Sequence, residues 1–271
     1  MPRTATASTF SEHVSRRAAP ARGAPAHSRA AWVSAPAIEF LGVVKRYGEV
    51  TVLDGLDLAV PAGKAFALVG ANGAGKTTCI KTVLDFGVAD AGTVRIFGEA
   101  HTQPAARSRL SFLPERFMPP FHLTGMEFLA YAGKLQGVSI SRERACRVAA
   151  ELDLDPQALA RPARSYSKGM AQKLGLASSL LADRELLVLD EPMSGLDPKA
   201  RLLVKRQLVE LKRRAHTLFF STHVLSDVHA VCDLMAIVHR GKARFVGSPE
   251  ECLASFGGCD LEQAYLNCID G

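Results

Sequence analysis

The residues best suited to chemistry lie in two short stretches. Gly70-Ala71-Asn72-Gly73-Ala74-Gly75-Lys76-Thr77 matches the pattern GxxxxGK[ST]. Its glycines let backbone N–H groups turn inward around an anion without Cβ clashes. A helix starting just after them would aim its positive end at the same anion. Lys76 is then placed to reach β- and γ-phosphate oxygens, and the Thr77 hydroxyl to join a Mg²⁺ ion. In a chain of this length the pattern arises by chance about once in a hundred. Its setting, between the apolar run Ala65–Val69 and the helical spacing of Thr77–Asp85, excludes a stray glycine turn. The second stretch is Leu186-Leu187-Val188-Leu189-Asp190-Glu191, an apolar strand ending in two acids. Parallel sheets place ligands at the carboxyl ends of their strands. Asp190 is a candidate for Mg²⁺, and Glu191 for orienting and deprotonating an attacking water.

The elements that must carry these groups alternate. Ile38–Val44 and Leu53–Val60 read as strands, followed by the turn Pro61-Ala62-Gly63, and Thr93–Phe97 is a further short strand. Ala65–Val69 is apolar without alternation, as a strand buried on both faces should be. Between His101 and Asp183 helical patterns take over: Thr124 and Glu127 form a capping box, and helices are expected over Arg142–Leu152 and after Lys168. Strands return at Leu186–Leu189, Thr217–Ser221 and Leu234–Val238, separated by helices at 199–213 and 224–231. This predicts an α/β fold with a parallel sheet. The expected organisation is a basic tail at 1–36, a cassette at 37–250 and a short helical extension at 251–271. Within the cassette a core (37–100 and 184–250) would receive a helical lobe (101–183).

Several further segments stand in order around the glycine loop and the acid pair. They are Val44-Lys45-Arg46-Tyr47-Gly48, Leu113-Pro114-Glu115, Ser165-Tyr166-Ser167-Lys168-Gly169-Met170-Ala171-Gln172-Lys173, Ser194-Gly195-Leu196-Asp197 and Ser221-Thr222-His223. With them the chain resembles the nucleotide-binding cassette of ABC transporters over about residues 37–250. The resemblance implies a RecA-like P-loop NTPase core with an antiparallel β edge subdomain and an inserted α-helical lobe. It implies ATP and Mg²⁺ as cofactors. Tyr47 would stack on adenine, while Gly70, Asn72, Gly73, Ala74, Gly75, Lys76, Thr77 and Thr78 would hold the phosphates. Thr77, Asp190 and Glu115 would serve the metal. Glu191, His223 and Lys76 would act in hydrolysis. Ser167 and Gly169 of a second copy, paired head to tail, would close over the ATP, and Glu115 and Asp197 would also belong to the nucleotide site.

Two departures from the family pattern stand out. The signature, usually Leu-Ser-Gly-Gly-Gln, reads Tyr166-Ser167-Lys168-Gly169-Met170, with a cation in place of the first glycine. Glu115 stands where glutamine is usual; a carboxylate accepts hydrogen bonds but cannot donate them. Both resemble the branch whose membrane subunits are separate exporter or permease chains. The resemblance therefore implies integral membrane permease partners, and a place in the cytoplasm against the inner face of the cell membrane. Transported substrate and direction of transport belong to those partners.

Composition bounds the alternatives. The 271 residues carry a net charge of +6, but Arg3, Arg16, Arg17, Arg22 and Arg29 against Glu12 put +4 of it in the first 36. The remaining 28 basic and 26 acidic residues make a nearly neutral body, which argues against a nucleic-acid partner. The tail's Ala, Arg, Ser and Pro content predicts disorder, with an organellar transit peptide as the other reading. Six cysteines without a CxxC pair suit thiols in a reducing compartment. No apolar run reaches the ~18–20 residues that cross a bilayer. A soluble ABC ATPase acting on DNA or ribosomes would show a coiled-coil insertion or a second cassette, whereas the 114 residues from Lys76 to Asp190 lack heptads. A small-molecule kinase would lack the signature segment. A scaffold without catalysis would have lost Lys76, Glu191 or His223.

Overall fold

The computed structural model describes residues 36–270. The expected disordered tail therefore falls, but for Pro36, outside the described residues. Ten strands, nine α-helices and two 3-10 turns occur among the described residues. Four strands form an antiparallel sheet in the order β2-β1-β4-β5: β1 Pro36–Tyr47, β2 Val50–Pro61, β4 Ala91–Ile96 and β5 Glu99–Ala100. Six form a second sheet in the order β10-β9-β3-β8-β7-β6, with β3 Ala65–Val69, β6 Leu110–Leu113, β7 Leu186–Asp190, β8 Thr217–Thr222, β9 Leu234–His239 and β10 Lys242–Gly247. All neighbours in this second sheet run parallel except β10, which turns back antiparallel on β9.

Every residue of β3, β7 and β8 is buried, as strands covered on both faces must be. Their alternation divides the core in two. Phe66, Leu68, Leu186, Val188 and Phe219 pack towards the antiparallel sheet, against Ile38, Phe40 and Val60. Phe219 stacks tilted on both Phe40 and Phe66, with centroids 6.4 and 6.3 Å apart. Ala65, Ala67, Leu187, Leu189, Leu218 and Phe220 join the opposite cluster, together with helical residues such as Leu129, Leu174, Val204 and Val228.

Helix α1 (Lys76–Val83) follows β3, and α2 (Pro104–Arg107) precedes β6. Helices α3 (Gly125–Leu135), α4 (Arg142–Glu151) and α5 (Lys168–Ala182) fill the interval before β7, with 3-10 turns at Pro156–Ala160 and Ala163–Ser165. The capping box at the start of α3 is observed: Thr124 Oγ1 accepts from the Glu127 amide, and the Glu127 carboxylate accepts from the Thr124 amide. Helices α6 (Pro198–Arg213) and α7 (Leu225–Val231) are the crossovers after β7 and β8.

One expectation is corrected. The switch to helix at His101 is interrupted by β6, which pairs with β7 in the register Leu110↔Leu186 to Leu113↔Leu189. As a four-residue edge strand with only alternate positions buried, it has neither the length nor the continuous apolar run that marks β3. The C-terminal segment is helical, as expected of the extension, and it packs on the core. Helix α8 (Pro249–Phe256) begins inside the expected cassette, α9 (Leu261–Asp270) follows, and Cys252, Leu261, Ala264 and Cys268 are buried in the main helical core.

Candidate functional site

The glycine loop runs from the end of β3 to the first residue of α1, in a conformation that other residue types would block. A Cβ on Gly70 would lie 2.4 Å from the Val238 carbonyl oxygen. Gly75 caps α1 at φ +110°, where a Cβ would also meet Leu53 Cδ2 at 2.9 Å. The outcome is a tight turn at the positive end of an eight-residue helix. Lys76 is buried there, its Nζ donating to the carbonyl oxygens of Gly70 (2.6 Å) and Ala71 (3.2 Å). Burial pulls its pKa below the ordinary lysine value, against the opposing pull of Glu191, Asp190 and Glu115.

Strand β7 delivers the acids. Asp190 is buried, and its Oδ1 accepts from Ser221 Oγ at 2.5 Å and from Thr77 Oγ1 at 3.5 Å. Glu191 departs from the strand in the left-handed region at φ 47°, a conformation that costs a non-glycine residue about 1 kcal/mol or more. Its amide donates to Ser221 Oγ at 3.0 Å. One hydroxyl thus orients both neighbours. The left-handed turn sends the Glu191 carboxylate towards Lys76 Nζ, 4.0 Å away, and His223 Nδ1, 2.9 Å away. An ionised carboxylate only accepts, so the imidazole carries its proton on Nδ1.

Lys76, Thr77, Glu191 and His223 line a cavity of about 400 Å³. Tyr47 and Val52 stand among its walls, together with Ala71, Asn72, Gly73, Gly75, Lys76, Thr77, Thr78, Glu115, Glu191, Ser194 and His223. Tyr47 is half exposed, with Lys45 Nζ 5.2 Å from its ring centroid. Of the other residues singled out in the sequence, Gly70, Ala74 and Asp190 stand outside the lining and are buried. Ser167, Gly169 and Asp197 are not brought to this cavity. Ser167 caps α5, its Oγ accepting from the Met170 amide at 3.2 Å. Asp197 caps α6 by accepting from the Ala200 amide at 2.9 Å, and that bond holds its carboxyl below the usual range. Gly169 faces the loop before α6, where a Cβ added to it would stand 3.8 Å from the Gly195 carbonyl oxygen.

Val52 and Ser194 are lining residues that sequence reasoning missed, as it missed the bridging role of Ser221. The pairing Asp190↔Ser221 between β7 and β8 produces the bridge. No local signal in the sequence reports that register.

As chemistry, the arrangement is an anion cradle with one ammonium, a hydroxyl beside a buried carboxylate, and a second carboxylate held by an imidazole. Residues 53–194, which contain the loop and both acids, match the ABC transporter family. The chain belongs to the family of ABC transporter ATP-binding proteins. It is 39% identical over 217 residues to an uncharacterised ABC transporter ATP-binding protein of Synechocystis sp., covering 79% of this chain and 61% of that protein. It is 36% identical over 238 residues to the Nod factor export ATP-binding protein I of Ralstonia nicotianae, covering 86% of this chain and 73% of that one. Among solved structures, an ATP-binding subunit of an ABC transporter superposes with a TM-score of 0.79 at 28% identity, covering 85% of this chain and 98% of the other. A bacterial Atm1-family ABC exporter with ATP bound shares the fold, with a TM-score of 0.74 at 23% identity over 85% of this chain and 41% of that one. The RecA-like P-loop arrangement implied by the resemblance is thus the fold of this ABC cassette.

Proposed function

We propose that this ABC protein binds and hydrolyses ATP, and that hydrolysis energises transport through separate integral membrane subunits. The observation that carries the reading is the Glu191 carboxylate, held between His223 Nδ1 (2.9 Å) and Lys76 Nζ (4.0 Å) at the mouth of the glycine loop. A base so held can take a proton from a water in line with a phosphate bound by Lys76. Magnesium-dependent release of phosphate from ATP by the purified chain tests it. No release above buffer, from folded protein with its membrane partner present, would overturn it.

The residues fit each role. Loop amides and Lys76 hold the phosphates, Thr78 stands beside them, and Asn72, Gly73 and Gly75 shape the cradle. Tyr47 offers a ring face for adenine at the rim. Replacing it with alanine is expected to weaken ATP binding by about 1 kcal/mol, roughly fivefold in Kd. Unchanged affinity by calorimetry would reduce Tyr47 to a packing residue.

Mg²⁺ suits the oxygens present. Thr77 Oγ1 lies 3.5 Å from Asp190 Oδ1. A hydroxyl beside one carboxylate suits an ion held also by the substrate's phosphates, and Glu115 lines the same cavity. When bound, the ion neutralises charge developing on the β- and γ-oxygens.

Ser167 and Gly169 stand apart from the cradle of their own chain, which supports the head-to-tail pairing in which a second copy supplies them. Asp197, capping the helix beyond Gly195, would shape the loop that meets that copy. Closure around the γ-phosphate would then favour the paired state, and hydrolysis would remove that preference. No described helix is long and apolar enough to cross a membrane. The reading places the protein at the inner face of the cell membrane through its membrane subunits. The relatives named for export support export as the direction.

Among the described residues, Glu115 alone lines both the nucleotide cavity and a second groove of about 410 Å³. That groove carries exposed Met118 and Phe121 beside Phe117, with Arg116, Arg164 and Lys168 around them. An apolar membrane-subunit segment bearing acidic residues complements it. Glu115→Ala is expected to reduce partner-stimulated ATPase more than the basal rate, while Glu115→Gln retains coupling. Equal loss of basal and stimulated turnover in Glu115→Ala would leave a simple water or metal contact.

A further inference from the structure

Four residues beyond His223, in α7, lies a carboxylate that the mechanism above does not use. Asp227 has a side chain only 2% exposed, and Arg201 Nη2 of α6 donates to its Oδ2 at 2.6 Å. Lys205 Nζ, one turn further along α6, lies 2.7 Å from Oδ1 but off the hydrogen-bonding direction, so it acts there as a charge. Burying such a group is unfavourable unless it is paired. A buried ion pair also stabilises a fold no better than apolar packing of the same volume. Here apolar packing is already present, since Leu225, Val228 and Val231 bury α7 on the core. What the charges add is direction, because they set one position of α7 relative to α6.

That position bears on the reacting groups. Arg201 and Asp227 share a small cavity of about 130 Å³ with Glu191, Ser194, Gly195 and His223. Helix α6 starts directly after the Ser194–Asp197 loop, and Asp197 caps its first turn. Helix α7 starts just after His223, whose Nδ1–H is on Glu191. The links form a closed ring: Glu191 to His223, along α7 to Asp227, across to Arg201, and back along α6 to the loop beside Glu191.

We propose that Asp227 is a positioning residue for hydrolysis, locking α6 to α7 so that His223 and the Ser194–Asp197 loop hold Glu191 in its reactive orientation. The proposal rests on the hydrolytic reading given above. It is tested on the full chain with Asp227→Asn, Asp227→Glu, and a triple variant, Asp227→Leu with Arg201→Leu and Lys205→Met, that replaces the ion cluster with apolar volume. Two readouts are needed: the ring-nitrogen resonances of His223, assigned with His223→Gln, and the separate kcat and KM for ATP.

In Asp227→Asn and the triple variant the His223 resonances shift and kcat falls by roughly 10- to 100-fold, with ATP affinity unchanged, as misplacement of a catalytic group by about 1 Å would cause. Asp227→Glu recovers most of both. Wild-type His223 resonances in a folded Asp227→Asn or triple variant would overturn the lock, as would a kcat loss that merely tracks the unfolded fraction. If His223 responds to Asp227→Asn while the wild-type chain hydrolyses no ATP, the lock stands and the hydrolytic reading fails.

Discussion

Glu191→Gln keeps ATP binding near the wild-type level and lowers turnover by about 10²- to 10⁴-fold, the usual worth of a positioned general base. The substitution keeps the side chain's shape and replaces one carboxylate oxygen with an amide. It leaves the glycine loop, Lys76 and Thr77 untouched, so the phosphate cradle should retain its affinity. What it removes is the proton acceptor that His223 Nδ1 holds at 2.9 Å. The left-handed backbone at φ 47° is kept in both, because Ser221 Oγ accepts from the amide of residue 191 whatever the side chain. With ATP bound and not hydrolysed, the head-to-tail pair should accumulate. Phosphate release and ATP titration check the first part, and size-exclusion chromatography with ATP checks the second. Turnover within a few-fold of wild type would remove Glu191 as the base.

Lys76→Ala fails one step earlier, at nucleotide affinity. Among the described residues its side chain is the one lysine or arginine lining the cavity, and a hydrogen bond to a charged group contributes about 1.5–3 kcal/mol. The Kd for ATP should therefore rise roughly 10- to 150-fold. The same Nζ donates to the Gly70 and Ala71 carbonyl oxygens, so the variant also loosens the loop, and its thermal unfolding must be measured alongside. The pH dependence gives a second check. In the proposed site the ammonium would bind phosphate below its pKa and would lose its charge as pH rises through it. Burial lowers that pKa from the ordinary lysine value, so ATP affinity should decline at a lower pH than a solvated lysine would allow. In Lys76→Ala this alkaline decline should disappear. Unchanged ATP affinity in calorimetry would contradict the assignment.

Much of this protein was legible along the chain because its strongest signals are local. The glycine loop, the apolar runs of β3, β7 and β8, and the Thr124–Glu127 capping box are each complete within a few consecutive residues. Backbone freedom, two-faced burial and end-capping depend on near neighbours, so residue types at fixed spacing report them. The order of the motifs then indicated the ABC family. Tertiary structure decided what depends on residues distant in sequence. Strand β6 is an edge strand because β7 pairs with it, although its alternating four residues lie amid helical patterns. Ser221 orients Asp190 and Glu191, 31 and 30 residues away in sequence, only through the register of β8 on β7. Val52 and Ser194 reach the cavity by the packing of separate elements. Asp227 reads as an ordinary acid on a short helix until α6 places Arg201 and Lys205 against it. Registers and helix crossings are chosen by the summed burial of the whole core, and no short window of sequence contains that sum.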